Sequence, residues 1–106
     1  AQACLDEAAK YARERVVFNQ PIGRFQLVQS MITDMVAGIE NARFLTYRLA
    51  WLRDQGVQQA RREASLAKMV ASDTALMAAT NAVQIHGAYG CSGEFPVSRY
   101  FRDAKV

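Results

Sequence analysis

Apolar residues recur every three or four positions along almost the whole chain, and no stretch alternates at every second position. That period places apolar side chains on one face of a helix, so a sheet fold is excluded before any residue is considered singly. The first predicted helix runs from about Ala1 to Val17. Leu5, Ala8, Ala9, Ala12 and Val16 share one face, with Asp6, Glu7, Lys10, Arg13 and Glu14 opposite. Proline and glycine in Asn19-Gln20-Pro21-Ile22-Gly23 end it. The second spans about Phe25 to Asp54, where Met31, Met35, Ile39, Ala42, Leu45, Leu49 and Leu52 step along one side. A run of that length makes a rod of roughly 45 Å. Gly56 stands where a C-terminal cap belongs.

The third predicted helix covers about Gln58 to Ile85. Ala60, Ala64, Ala67, Ala71, Thr74, Ala78 and Ala82 line a seam of small side chains. Such a seam admits a close neighbour. Bulk from Leu66, Met69, Val70, Leu76, Met77 and Val83 lies on other faces, as in a helix contacted from more than one side. The fourth runs from about Pro96 to Lys105, with proline at a tolerated first-turn position. These segments predict an all-α, antiparallel, up-and-down four-helix bundle with two long central helices. Residues 1–106 form one expected domain. Ala1 starts inside a helical pattern and Ala104-Lys105-Val106 ends without a breaker, so both ends are expected to be truncated from a longer protein.

Composition narrows the function classes. At 106 residues and 51% apolar content the chain can bury a core. It has no run of about 18 uncharged apolar residues, so no membrane span is expected. Residues 1–20 lack the apolar centre of a signal peptide. Cys4 and Cys91 lie far apart beside a single histidine, which argues for two free thiols and against a zinc site. The net charge of +3 comes from scattered residues. Only Arg61 and Arg62 adjoin, and Glu63 follows them, so a mixed solvated surface is expected rather than a nucleic-acid face.

Two places depart from a plain bundle. Gln84-Ile85-His86-Gly87-Ala88-Tyr89-Gly90 ends a long helix in a glycine turn. Such a turn either caps the helix or lets backbone N–H groups approach a flat or anionic ligand. Around the first turn, Arg15, Phe18, Arg24 and Gln26 could bind a phosphate and stack on a base, or form a surface arginine and a phenylalanine staple. Glu40 and Arg43 have the spacing of a surface ion pair. His86 either touches a ligand or satisfies a backbone carbonyl, and Trp51 belongs to the core or an interface. No Ser/His/Asp or Cys/His set can be assembled. Asp34, Glu40, Asp54, Asp73, Glu94 and Asp103 include no pair that declares a general base.

The same residues resemble the acyl-CoA dehydrogenase family. Tyr11 to Phe18 with Gln20-Pro21-Ile22 is similar to its "YAxERxxFGxPI", and Phe25-Gln26-Leu27-Val28-Gln29 to "FQxxQ". Gln84 to Gly90 resembles "QIxGGxGY", and Glu94-Phe95-Pro96-Val97 with Arg102-Asp103-Ala104-Lys105 resembles "EYPVxRxxRDAK". The four motifs occur in the family's order over essentially the whole chain. Ala88, Asn19 and Cys91 depart from it, standing respectively where a second glycine, a glycine and often an aromatic are usual.

The resemblance implies the C-terminal helical domain of an FAD-dependent flavoprotein that dehydrogenates acyl thioesters of CoA or acyl carrier protein at the α,β positions. It implies dimers or dimers of dimers through the bundle, with each FAD across a subunit interface. Arg15 would contact the pyrophosphate of the partner's FAD, Phe18 would pack near its adenosine end, and Gln26 would hydrogen-bond it. Gln84, Ile85, His86, Gly87 and Ala88 would bring backbone to the diphosphate. The family's base is a glutamate in a "YEGT"-like segment after "RDAK", or lies on a preceding helix. Neither stretch is in this chain, so no catalytic residue is assigned. The rival expectations are a relative of other chemistry (flavin monooxygenase, nitroalkane oxidase or DNA-associated flavoprotein) and a catalytically silent oligomerisation module. Bacterial cytoplasm is the expected compartment, with the mitochondrial matrix as the alternative.

Overall fold

A computed structural model describes residues 1–106. It has four α-helices, α1 (Gln2–Glu14), α2 (Gln26–Asp54), α3 (Arg61–His86) and α4 (Val97–Lys105). Between α1 and α2 lies a small hairpin of β1 (Val16–Val17) and β2 (Gln20–Pro21), followed by a 3-10 turn at Ile22–Arg24. A second 3-10 turn, Gly87–Cys91, leads from α3 towards α4.

The helices answer the predicted pattern, with α3 central. It packs on α2, α1 and α4, as bulk on more than one face requires. Ala60, Ala67, Thr74, Ala78 and Ala82 of the small-residue seam are buried. On α2 the matching concession is Gly38, where an added Cβ would lie 2.9 Å from the methyl of Met77 and 3.1 Å from Thr74. Thr74 Oγ1 donates to the Gly38 carbonyl at 3.3 Å, so the two long helices touch almost backbone to side chain here. Gly56, at φ 80, closes α2 as predicted. Its N–H donates to the Arg53 carbonyl and that of Val57 to Leu52, the paired bonds of a Schellman cap.

The first connection differs from the predicted one. Helix α1 stops at Glu14 rather than Val17, because Arg15 turns extended at ψ 120 and β-branched Val16 and Val17 follow. Val16 pairs with Pro21 and Val17 with Gln20. Phe18 (φ 51) and Asn19 (φ 61) reverse the chain between them. Two successive positive φ angles are the signature of a tight hairpin turn, and asparagine is the side chain that tolerates that region best after glycine. Asn19 therefore fills a conformational need where the resembled motif has glycine. Two-residue strands are too short to show alternation, which is why no strand was expected. Helix α3 likewise begins at Arg61 rather than Gln58.

The core is small and lies at one end. Cys4, Ala8 and Ala12 of α1 meet Met35 of α2, Ala78, Ala79, Ala82 and Ile85 of α3, and Val97 of α4. The molecule measures 56 × 25 × 16 Å with a radius of gyration of 16.2 Å. A compact domain of this length has about 13 Å. The excess is the far half of α2 and α3, which projects as a two-helix arm past the shorter α1 and α4.

Candidate functional site

The backbone around Arg15 is pinned on both sides. Its N–H donates to the Tyr11 carbonyl at 2.9 Å, and its own carbonyl accepts from the Ile22 N–H at 2.8 Å. Gly23 presses on the end of α1, where an added Cβ would come within 3.1 Å of the Ala12 carbonyl oxygen. The exposed Arg15 side chain thus leaves from a fixed point. Its guanidinium lies 5.7 Å from the centre of the Tyr89 ring and makes no ion pair. Exposed, stacked and without a carboxylate, it keeps its fork of donors free for an anion.

Tyr89 belongs to the glycine turn, so the structure joins the two places that the sequence singled out separately. Gly87 is exposed at φ 59, and nothing lies within 4 Å of where its Cβ would be. Glycine is needed there for conformation, and the space beside it is open. Gly90 is needed for the opposite reason. It is buried, and a Cβ would fall 2.4 Å from the Val83 carbonyl oxygen. Ala88, next to Gly87, is exposed as well.

The side chains of Ile85 and His86 turn inward. His86 is 3% exposed and its Nδ1–H donates to the Ala82 carbonyl at 2.8 Å. Its ring stacks on Tyr11 at 4.2 Å and meets the edge of Phe95. These contacts fix the base of the turn, and every buried side-chain polar atom in the chain has a partner. Whatever residues 85 and 86 offer a ligand must come from their backbone. Gln84 is exposed, and its carbonyl is taken by the Gly87 N–H.

Phe18 and Gln26 form a second group at the hairpin. Phe18 sits at the reversal with 86% of its surface exposed and meets the Phe25 ring edge-on at 6.5 Å. Phe25 is the residue before the first turn of α2, and exposed Gln26 opens that helix. No side chain caps the helix there, so its first N–H groups remain free. A bare phenylalanine ring, an amide and open backbone donors suit a flat heteroaromatic group. Tyr89 is the member that sequence reasoning left unassigned; it lay within the singled-out segment, but its partner is remote in sequence.

None of the principal cavities is lined by Arg15, Phe18, Gln26, Gly87 or Ala88. The cavity nearest the His86 ring, about 260 Å³, carries Glu7, Glu14 and Glu94 against Lys10 alone. Its charge is wrong for a diphosphate. Arg15, Phe18, Gln26, Gly87 and Ala88 instead lie exposed on the surface. No group of three or more His, Cys, Asp or Glu side chains is placed to hold a metal ion. Both cysteines are free thiols. No helix is long and apolar enough to cross a membrane.

Comparison with known proteins follows the same line. A family model described as "Acyl-CoA dehydrogenase, C-terminal domain" matches residues 1–106. The glutaryl-CoA dehydrogenase of Desulfococcus multivorans is 45% identical over 104 residues, 98% of this chain and 27% of that protein. The structure of butyryl-CoA dehydrogenase from Megasphaera elsdenii superposes with a TM-score of 0.93 at 43% identity, over 98% of this chain and 27% of the other. The FAD complex of PigA superposes at 0.92 and 30% identity, over 97% of this chain and 27% of the other. The chain therefore spans about a quarter of the length of the proteins it matches.

Proposed function

The chain belongs to the acyl-CoA dehydrogenase family, as its C-terminal domain, and from that premise we propose that it completes the FAD site of an acyl thioester dehydrogenase. FAD would accept the electrons and hydrogen removed from the α,β carbon–carbon bond of an acyl group carried by CoA or acyl carrier protein. The observation that carries the reading is the unpaired Arg15 guanidinium held over Tyr89 beside the open Gly87 turn. A pyrophosphate takes bidentate donors from such a guanidinium and N–H groups from such a turn. Phe18 would pack near the adenosine end, and Gln26 would hydrogen-bond the cofactor. Gln84, Ile85 and His86 would serve through their backbone, with Gly87 and Ala88 at the point of closest approach.

Because these groups form a face and not a cavity, the FAD would be held mainly by a second copy of the protein. That copy would join this one in a dimer or a dimer of dimers. No residue of this chain is assigned as the catalytic base. The similar proteins named above and the acyl-CoA dehydrogenase of Bacillus subtilis, 45% identical over 106 residues, support a bacterial cytoplasmic enzyme.

The test is an anaerobic titration of the complete protein with a panel of acyl thioesters, following flavin absorbance. Bleaching by one chain type establishes the dehydrogenase and its substrate class. Bound flavin that no thioester reduces rejects the dehydrogenase in favour of oxidase or monooxygenase chemistry. Replacing Arg15 by alanine removes charge-assisted bonds worth about 1.5–3 kcal/mol each, so FAD affinity should fall at least tenfold. Unchanged flavin occupancy would remove Arg15 from the site.

A further inference from the structure

The hydrogen bonding of buried His86 is half complete within this chain. Nδ1–H donates to the Ala82 carbonyl, so the neutral ring keeps its lone pair on Nε2. No group of the chain meets Nε2, and no fully buried side-chain polar atom lacks a partner. Nε2 therefore belongs to the 3% of His86 that reaches open space. Towards the glycine turn His86 offers only backbone. Its ring lines a separate cavity of about 260 Å³ that Gly87, Ala88 and Tyr89 do not line.

Helix α1 supplies this cavity with Glu7, Lys10, Tyr11 and Glu14, which share one face, and the segment before α4 supplies Glu94 and Phe95. Three carboxylates stand against one ammonium, and none of these four charged groups makes an ion pair. Lys10 has the helical spacing to pair with either Glu7 or Glu14 and leaves both free. The cavity thus combines a surplus of negative charge with an unused acceptor nitrogen. Its aromatic walls are Tyr11 and Phe95, whose rings stand at 87° to each other.

We propose that this cavity binds the guanidinium head of a cationic ligand. The carboxylates are not placed to hold a metal ion, whose oxygen ligands must gather within about 2.0–2.6 Å of it. An ammonium is a compact point charge. A guanidinium is planar, points its N–H donors outward in a fixed fork and lies well against aromatic rings. One of its edges can donate to Nε2 while the others face carboxylates. The cavity falls just below the roughly 300–1,000 Å³ of sites for drug-sized ligands, which suits a head group on a short alkyl stem. Such a head group comes from a free guanidino compound or from an arginine outside residues 1–106 of the same protein, of whose relatives this chain spans 27%. The proposal does not depend on the flavin reading, because Arg15, Phe18, Gln26 and Gly87 take no part in it.

The experiment uses the complete protein, with ethylguanidinium as probe and N-ethylurea as its neutral isostere. Saturation-transfer NMR of the ethyl protons should show saturable binding of ethylguanidinium and none of N-ethylurea. In Glu7→Gln/Glu14→Gln the affinity should fall about tenfold or more while bound flavin stays. That result assigns the site to a free guanidino compound. If an arginine of the protein already fills the cavity, the probe should not bind, and the double variant should unfold at a lower temperature. Its cation is then left without carboxylates. Glu7 and Glu14 pair with nothing in this chain, so no lost contact within it explains such a drop. Equal binding of N-ethylurea, or binding that the double variant leaves unchanged, would overturn the proposal. So would no binding together with an unfolding temperature that stays or rises, as when carboxylates are relieved of mutual repulsion. If the double variant does not fold, Glu7→Gln and Glu14→Gln singly are measured in its place.

Discussion

The two ends of α2 and α3 are made of the same helices and have different interiors. Near the glycine turn, α1 and α4 lie over them, and nine residues close a core around Met35, Ala79 and Val97. In the far arm, between residues 40 and 73, only Ala60 and Ala67 are buried, and both are alanines. The arm's leucines are half-buried between two helices, and its aromatics face out. A pair of helices can cover one stripe each and no more. The near end is therefore stabilised by this chain, while the arm presents apolar surface suited to a neighbour.

The largest expected effect tests that division. Met35→Ala empties a fully buried position and should cost about 2–5 kcal/mol of unfolding free energy in denaturant. Leu52→Ala in the arm should cost about 1 kcal/mol, because its side chain is already partly in water. Equal losses in the complete protein would break the comparison, and would mean that the arm is buried by something else.

The glycine turn gives the next contrast. Gly90→Ala drives a methyl into the Val83 backbone and should cost about 3 kcal/mol. Gly87→Ala meets no neighbour and is strained by its positive φ alone, at about 1–2 kcal/mol. Calorimetry of both variants ranks them. A larger loss at Gly87 would mean that its face is occupied more closely than the chain by itself reveals.

The smallest effect concerns the thiols. Burial raises the Cys4 thiol above its ordinary value, despite an opposing pull from a backbone hydrogen bond. The folded state therefore favours the protonated thiol. That preference contributes fully below the unfolded pKa and fades as pH rises through the folded one. Stability should decline slightly above about pH 8.5, and iodoacetamide should modify exposed Cys91 well before Cys4. Comparable rates would show that the core around Cys4 opens to solvent readily.

How much of this was legible beforehand depends on the range of each interaction. The face of α2 carrying Met35, Ile39, Leu45, Leu49 and Leu52 was readable, because its period is the period of the helix itself. So was the Gly56 cap, since a left-handed residue after a helix is almost a glycine requirement. Trp51 could be left only as core or interface. Its helix has apolar residues on two sides, and the structure places it outside the core. The hairpin from Val16 to Pro21 escaped notice because two-residue strands hold no period, and its turn rests on Phe18 and Asn19 rather than glycine.

The sequence by itself therefore determined the helices, their order, the small-residue seam that lets α2 and α3 approach, and the two segments that depart from a plain bundle. All of these follow from local sterics and from spacing along one helix. Tertiary structure alone decided that Arg15 lies over Tyr89, that His86 is locked inward against Tyr11 and Ala82, and that Phe44, Tyr47 and Trp51 stay uncovered. Each of these depends on where separate helices come to rest against one another. No periodicity within a single helix encodes that.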